Sequence, residues 1–279
     1  MIRDFIKLLS NKCQHFYVKE RLQNTIHSKG FQNFLFLLGT IAFIQACFLL
    51  APESMAVSSS SNVNGRELPI YCVETDSKKV ALSFDAAWGN DDTSQILEIL
   101  KKHNVHATFF MTGGWVENYP DDVKNIYAAG HDLGNHSENH KNMSQLSTAQ
   151  QEEELMKVHN KVRQLTGVEM NLFRPPYGDY DNTVILTAKK LGYYTIQWDV
   201  DSLDWKDYGV DSIISTVTQH KHLGNGSIIL CHNGAKYTAQ ALDAMLTTLK
   251  NNGYEIVPVS ELIIRDDYHM NVEGRQIAD

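Results

Sequence analysis

An α/β fold built on a parallel sheet, closing into a barrel, is what this sequence predicts, and three observations predict it. Seven short apolar, β-rich runs alternate with helical patterns, at 80–84, 107–111, 131–133, 172–174, 193–198, 227–230 and 255–259. The intervening helical stretches lie at 93–102, 148–165, 182–191, 210–220 and 239–250. Regular strand–helix alternation is the signature of parallel strands joined by helical crossovers. Finally, the residues able to do chemistry, Asp85, His136, Arg174, Asp199 and His232, stand at or just past the ends of these runs. In parallel barrels that is where functional side chains collect.

The segments before the alternation differ in kind. Residues 34–50 are apolar apart from Gly39, Thr40 and Gln45, and the 33 residues before them hold six basic residues against two acidic ones. A basic leader stays on the cytoplasmic side, so 34–52 is expected to act as a transmembrane signal-anchor that sends the rest outward. Cleavage after Ser54-Met55-Ala56 would instead release a secreted domain. The Ser/Asn-rich stretch after Ala56 predicts a flexible linker over 53–77, a folded domain is expected over 78–262, and 263–279 reads as a polar tail.

Six of the 25 basic and two of the 33 acidic residues belong to the leader, so the remainder carries a net charge of −12. That balance argues against nucleic acid as a partner. Of four cysteines, Cys13 and Cys47 fall in the leader and the apolar run, and Cys72 with Cys231 does not make a disulfide framework. Cys231 precedes His232 by one residue, so in a strand the two point to opposite faces.

The densest chemical signal is Gly134-Asn135-His136-Ser137-Glu138-Asn139-His140. In a helical turn, residues four apart share a face, and two imidazoles there can bind one divalent ion. Ser137 occupies the place a zinc protease gives to its glutamate base, so any base must come from elsewhere. Singly, these features have plain structural alternatives: Asp85 as a helix cap, Arg174-Pro175-Pro176-Tyr177-Gly178 as a turn, His232 as a core histidine.

Together with Ser83-Phe84-Asp85-Ala86-Ala87-Trp88-Gly89, Trp198-Asp199-Val200-Asp201 and Leu230-Cys231-His232, they resemble the five motifs of the polysaccharide deacetylases, the NodB-homology proteins of carbohydrate esterase family four, in that family's order. The resemblance spans about two thirds of the chain, from Lys79 to near Leu262. It implies a distorted (β/α)₇ barrel and a metal-dependent N-deacetylase acting on an acetylated amino-sugar polymer, most plausibly peptidoglycan. By the same resemblance His136 and His140 would hold the metal, zinc or alternatively cobalt, nickel or manganese. Asp85 would be the base, Arg174 its orienting partner, His232 the acid and Asp199 the carboxylate behind it. The backbone N–H of Tyr177 would serve the oxyanion, and Leu230 with Trp198 or Trp205 would line a slot for the acetyl methyl.

One departure from the family pattern matters: the third metal ligand is normally an aspartate where this chain has Ala86. Asp91 is the expected substitute, with Asp92 or water as alternatives. The variant F-D-x-x-W-G resembles a subgroup from spore-forming bacteria. A membrane-tethered cell-wall glycan-binding protein, catalytically impaired by Ala86, is the other reading.

Overall fold

The computed structural model describes Asn33, Phe36 and residues 60–279. Asn33 and Phe36 are helical. Apart from those two residues, the basic leader, the signal-anchor at 34–52 and the start of the linker lie outside the described residues, as do Cys13 and Cys47. Among the described residues no helix is long and apolar enough to cross a membrane.

In chain order the domain has strands β1 (Asn62–Val63), β2 (Arg66–Glu67), β3 (Cys72–Val73) and β4 (Lys79–Ala86), then helix α1 (Thr93–Lys102). Strand β5 (Thr108–Met111) leads to α2 (Gly113–Asn118) and α3 (Pro120–Ala128), and β6 (Asp132–Asn135) to α4 (Thr148–Thr166). Strand β7 (Leu172–Phe173) precedes α5 (Asn182–Lys190), and β8 (Tyr194–Thr195) and β9 (Val200–Asp201) precede α6 (Val210–Thr218). The chain ends with β10 (Ile228–Asn233), α7 (Thr238–Asn251), β11 (Glu255–Val257), α8 (Val259–Leu262), β12 (Tyr268–Met270) and β13 (Arg275–Ala278).

The parallel strands run β8-β7-β6-β5-β4-β10-β9, with β11 on the lower half of β4. The sheet curls but its path ends at β8 and β9, so it is an open barrel. Beside β8, Ile70 donates to the Thr195 carbonyl and accepts from the Gln197 N–H, continuing the ladder with a single residue.

Strand alternation decides what each face holds. On β4, Val80, Leu82, Phe84 and Ala86 pack outward with Ile96, Leu100, Trp115 and Leu246 in the layer beneath the helices. Ala81 belongs instead to an inner cluster with Ile70, Phe110, Ile196 and Ile228, and Ser83 and Asp85 follow it on the same face. On β10, Cys231 joins the outer layer. Each large side chain so buried contributes roughly 1.5–3 kcal/mol. Helix α4 starts on a capping box between Ser147 and Gln150 and stops at Gly167, whose φ of 77° suits glycine.

Two expectations need correction. Residues 60–77 are not all linker: Leu68, Ile70 and Val73 are buried, and β3 pairs with β13. Nor is 263–279 a mere tail, because β12 and β13 form an antiparallel pair that completes a three-stranded sheet with β3. These strands are two to four residues long, too short to show a period in sequence, and β13 lies some 200 residues from its partner β3. Cys72 and Cys231 are both buried and free.

Candidate active site

Asp85 ends the inward row of β4, where its neighbours on adjacent strands are His232 of β10 and Phe110 of β5. Arg174, completely buried just after β7, donates from Nη1 to Asp85 Oδ1 at 2.8 Å. Its Nη2 donates to Ser83 Oγ at 2.9 Å and to the Gln197 carbonyl at 3.2 Å. Phe110 lies under the guanidinium, 4.2 Å from ring centre to Cζ. Burial would raise the Asp85 carboxyl, but the charge of Arg174, aided by His136 and His232, outweighs it and holds the group below the usual carboxylate range. Asp85 is therefore an ionised acceptor.

His136 and His140 do not sit on a helix. They bracket a loop after β6 in which Ser137 and His140 take left-handed φ of 64° and 53°. The loop is held by its own polar side chains: the Ser137 N–H donates to Asn135 Oδ1 at 2.9 Å, and the His140 N–H to Ser137 Oγ at 3.1 Å. From outside, the N-terminal turn of α2 donates to the carbonyls of Ser137 and Glu138, while Glu154 of α4 accepts from both nitrogens of Asn139. Two left-handed residues bring the imidazoles together as a helix would, with ring centres 4.9 Å apart.

His136 Nδ1 donates to the Arg174 carbonyl at 2.7 Å, which leaves Nε2 as its free acceptor, 3.5 Å from Asp85 Oδ2. Burial lowers His136 to about 4 and pulls His140 down as well. Two neutral imidazoles beside an ionised carboxylate fit a divalent metal, which needs its histidine ligands deprotonated. Among the described residues no group of three or more His, Cys, Asp or Glu side chains is arranged to hold a metal ion. Asp91 does not supply the third: it is exposed and lines a separate hollow with Gln95, Lys236 and Gln240, outside the cavity of the histidines. Asp92 accepts from Asn233 Nδ2 and the Gly234 N–H and borders the same hollow. Ala86 packs into the apolar layer under the helices.

The expected carboxylate behind His232 is also corrected. Asp204, completely buried in the turn after β9, accepts from His232 Nδ1 at 2.7 Å, from its backbone N–H at 2.7 Å and from Thr238 Oγ1 at 2.6 Å. Burial would lower the His232 pKa, but Asp204, with Asp85 and Asp201 adding to it, raises it. Asp199 lies four residues down the ladder, opposite Ile228, where it accepts from the Ile228 N–H and Ser227 Oγ. Burial there pushes Asp199 up to about 6. The resemblance assigned this role to Asp199 of Trp198-Asp199-Val200-Asp201; Asp204, in Ser202-Leu203-Asp204-Trp205, takes it because the turn after β9 swings it back over β10.

Asp85, His136, His140, Tyr177, Trp198, Trp205, Leu230 and His232 line one cavity of about 390 Å³, joined by Ala87, Trp88 and Asp201. Trp88, which the sequence offers as the tryptophan of F-D-x-x-W-G without a site role, stacks its ring on His232 at 5.1 Å and 16°. Tyr177 follows two prolines, takes a φ of 59° and sets its ring edge-on to His140 at 4.5 Å. Trp88, Tyr177 and Trp205 are about half or more exposed, so the mouth is an aromatic rim over a polar floor. Such a rim can stack on sugar faces while the floor works on a polar substituent.

Known proteins resemble this chain in sequence and in fold. Residues 73–196 match the polysaccharide deacetylase family model. The chain is 38% identical over 195 residues to the uncharacterized protein YlxY of Bacillus subtilis, covering 70% of this chain and 60% of that protein. It is 34% identical over 208 residues to the peptidoglycan-N-acetylmuramic acid deacetylase PdaA of Bacillus subtilis, covering 72% of this chain and 77% of the relative. Among solved structures, a family 4 carbohydrate esterase pseudoenzyme from Bacillus anthracis superposes with a TM-score of 0.67 at 36% identity, covering 73% of each chain. A mutant of that pseudoenzyme with restored enzymatic activity matches with the same TM-score at 39% identity, covering 70% of each chain.

Proposed function

Because this chain belongs to the polysaccharide deacetylase family, hydrolases of non-peptide carbon–nitrogen bonds, we propose that it removes N-acetyl groups from amino sugars of peptidoglycan, outside the cell membrane. The observation that carries the reading is the convergence of Asp85, His136, His140 and His232 on one aromatic-rimmed cavity, with Arg174 buried behind Asp85. The relatives named for wall glycans support the substrate, and the basic leader before an apolar run supports the location and a membrane anchor.

His136 and His140 would hold a divalent metal, zinc in preference to cobalt, nickel or manganese, which when bound supplies Lewis acidity toward the acetyl oxygen. The chain's own residues divide the rest. Asp85, kept ionised and oriented by Arg174, takes the proton from the attacking water. Water oxygen adds to the acetyl carbon, the carbon–nitrogen bond breaks, and acetate and a free amine separate. His232 gives the departing nitrogen its proton from Nε2, since Nδ1 is committed to Asp204. The Tyr177 backbone N–H is the proposed donor to the oxyanion, with Leu230, Trp198 and Trp205 around the acetyl methyl.

The test is acetate release from peptidoglycan by the zinc-loaded full-length chain. Release should require the metal and vanish in Asp85→Asn, which keeps both histidines. Glycan binding without release from any acetylated polymer would favour the second reading, an impaired glycan-binding protein. That reading is favoured by Ala86 and by the likeness to the pseudoenzyme. Release switched on by Ala86→Asp in an otherwise inactive chain would settle for it.

A further inference from the structure

Asn135, immediately before His136, is completely buried and heads a polar chain that crosses the helix-side packing to the surface. Its Oδ1 accepts from the Ser137 N–H at 2.9 Å, and its Nδ2 donates to the Leu155 carbonyl of α4 at 2.8 Å. A backbone donor on one side and a backbone acceptor on the other fix which way the amide faces. The second Nδ2 hydrogen points at Tyr193 Oη, 3.0 Å away. With an oxygen lone pair so used, the Tyr193 hydroxyl hydrogen goes to His159 Nδ1 at 2.6 Å. That leaves His159 Nε2 to donate to Glu169 Oε2, also at 2.6 Å. Tyr193 and His159 are 4% and 8% exposed, whereas the Glu169 side chain is 64% exposed. Every donor in the chain has one acceptor and every link one direction.

We propose that Asn135, Tyr193 and His159 are positioning residues for the His136–His140 loop. Ser137 holds a left-handed φ where the two imidazoles meet, and its N–H donates to the oxygen of an amide that the Leu155 carbonyl orients and that Tyr193, held in turn by His159, braces. Loss of the hydroxyl strands the second Nδ2 hydrogen of Asn135 in the core, loss of the imidazole releases the hydroxyl that accepts it, and either change loosens the hold of the amide on the Ser137 N–H. The inference rests on the metal reading for its consequence but not for its geometry, and the test separates the two.

Tyr193→Phe, His159→Leu and His159→Gln are made in the full-length chain. Hydrogen exchange of the Ser137 and His140 amides is followed without metal, and zinc affinity is measured by chelator competition. Tyr193→Phe and His159→Leu should speed Ser137 exchange and weaken zinc by about 10- to 100-fold, the range for residues supporting metal ligands. His159→Gln, which keeps an acceptor for Tyr193 and a donor for Glu169, should stay near wild type. Unchanged exchange and affinity in folded Tyr193→Phe would overturn the inference, as would equal loss in the Gln and Leu variants, which would assign the effect to packing. If wild type holds no zinc, the metal reading fails and the exchange measurement decides alone.

Discussion

Asparagine in place of Asp204 keeps the size of the side chain but removes the charge that His232 leans on, and an amide can present its NH₂ where a carboxylate oxygen accepted. Asp204→Asn should lower kcat for acetate release by about 10²- to 10⁴-fold, the usual worth of a positioned acid, with KM little changed. Asp199→Asn should leave kcat near wild type, since an amide oxygen still accepts from the Ile228 N–H. A reversed ranking in steady-state kinetics would return Asp199 to the site. His131 carries a separate prediction. Its Nδ1 accepts from the Ala107 N–H, and burial, then His106, lowers it to about 4. The unfolded chain binds a proton there near 6.5, the folded one only near 4, so its contribution to stability is full above 6.5 and is lost as pH falls toward 4. Relative to His131→Gln, which keeps an acceptor without titrating in this range, urea unfolding of wild type should lose up to about 3 kcal/mol across that interval.

Elements are where sequence reading succeeds and fails for nameable reasons. The seven parallel runs and five crossover helices announce themselves because strands buried on both faces are apolar throughout and their helices are amphipathic. Asp85, Arg174 and His232 were legible with them, being punctuation at strand ends. Helices α2 and α3 were not: Gly113-Gly114 opens one and Pro120 the other, residues that ordinarily mark loops. The loop geometry of His136 and His140 was also hidden, because i,i+4 spacing does not distinguish a helical turn from two left-handed residues. Gly226 shows an element joint no pattern marks. At φ +80° a Cβ there would meet the Val73 carbonyl oxygen at 1.7 Å, where β3 docks below β10. Gly226→Ala should lower stability by roughly 3 kcal/mol through strain and lost docking, read as a drop in melting temperature. Zinc binding by His136 and His140, in the loop after β6, should survive it.

At the scale of the whole domain, the three-stranded sheet ties residues near its start to its last ones. Ser60 bridges His269, Cys72 pairs with Arg275, and Gln276 binds both the N–H and the carbonyl of Ile264 through its side chain. Tyr268 and Met270 pack in the inner cluster with Ile70, Ile196 and Ile228. Removing 268–279 should therefore expose this apolar floor, lower the melting temperature and raise binding of a hydrophobic dye, although every residue of the cavity remains. An unaltered melt would show that the barrel needs no floor. The same arrangement governs how the chain is made. The parallel strands can form while the polypeptide is still leaving the ribosome, but β3 must wait through about 200 residues of synthesis for its partner. During that wait, of order 10–40 s at ordinary elongation rates, the inner face of the nascent barrel is open to whatever hydrophobic surface it meets.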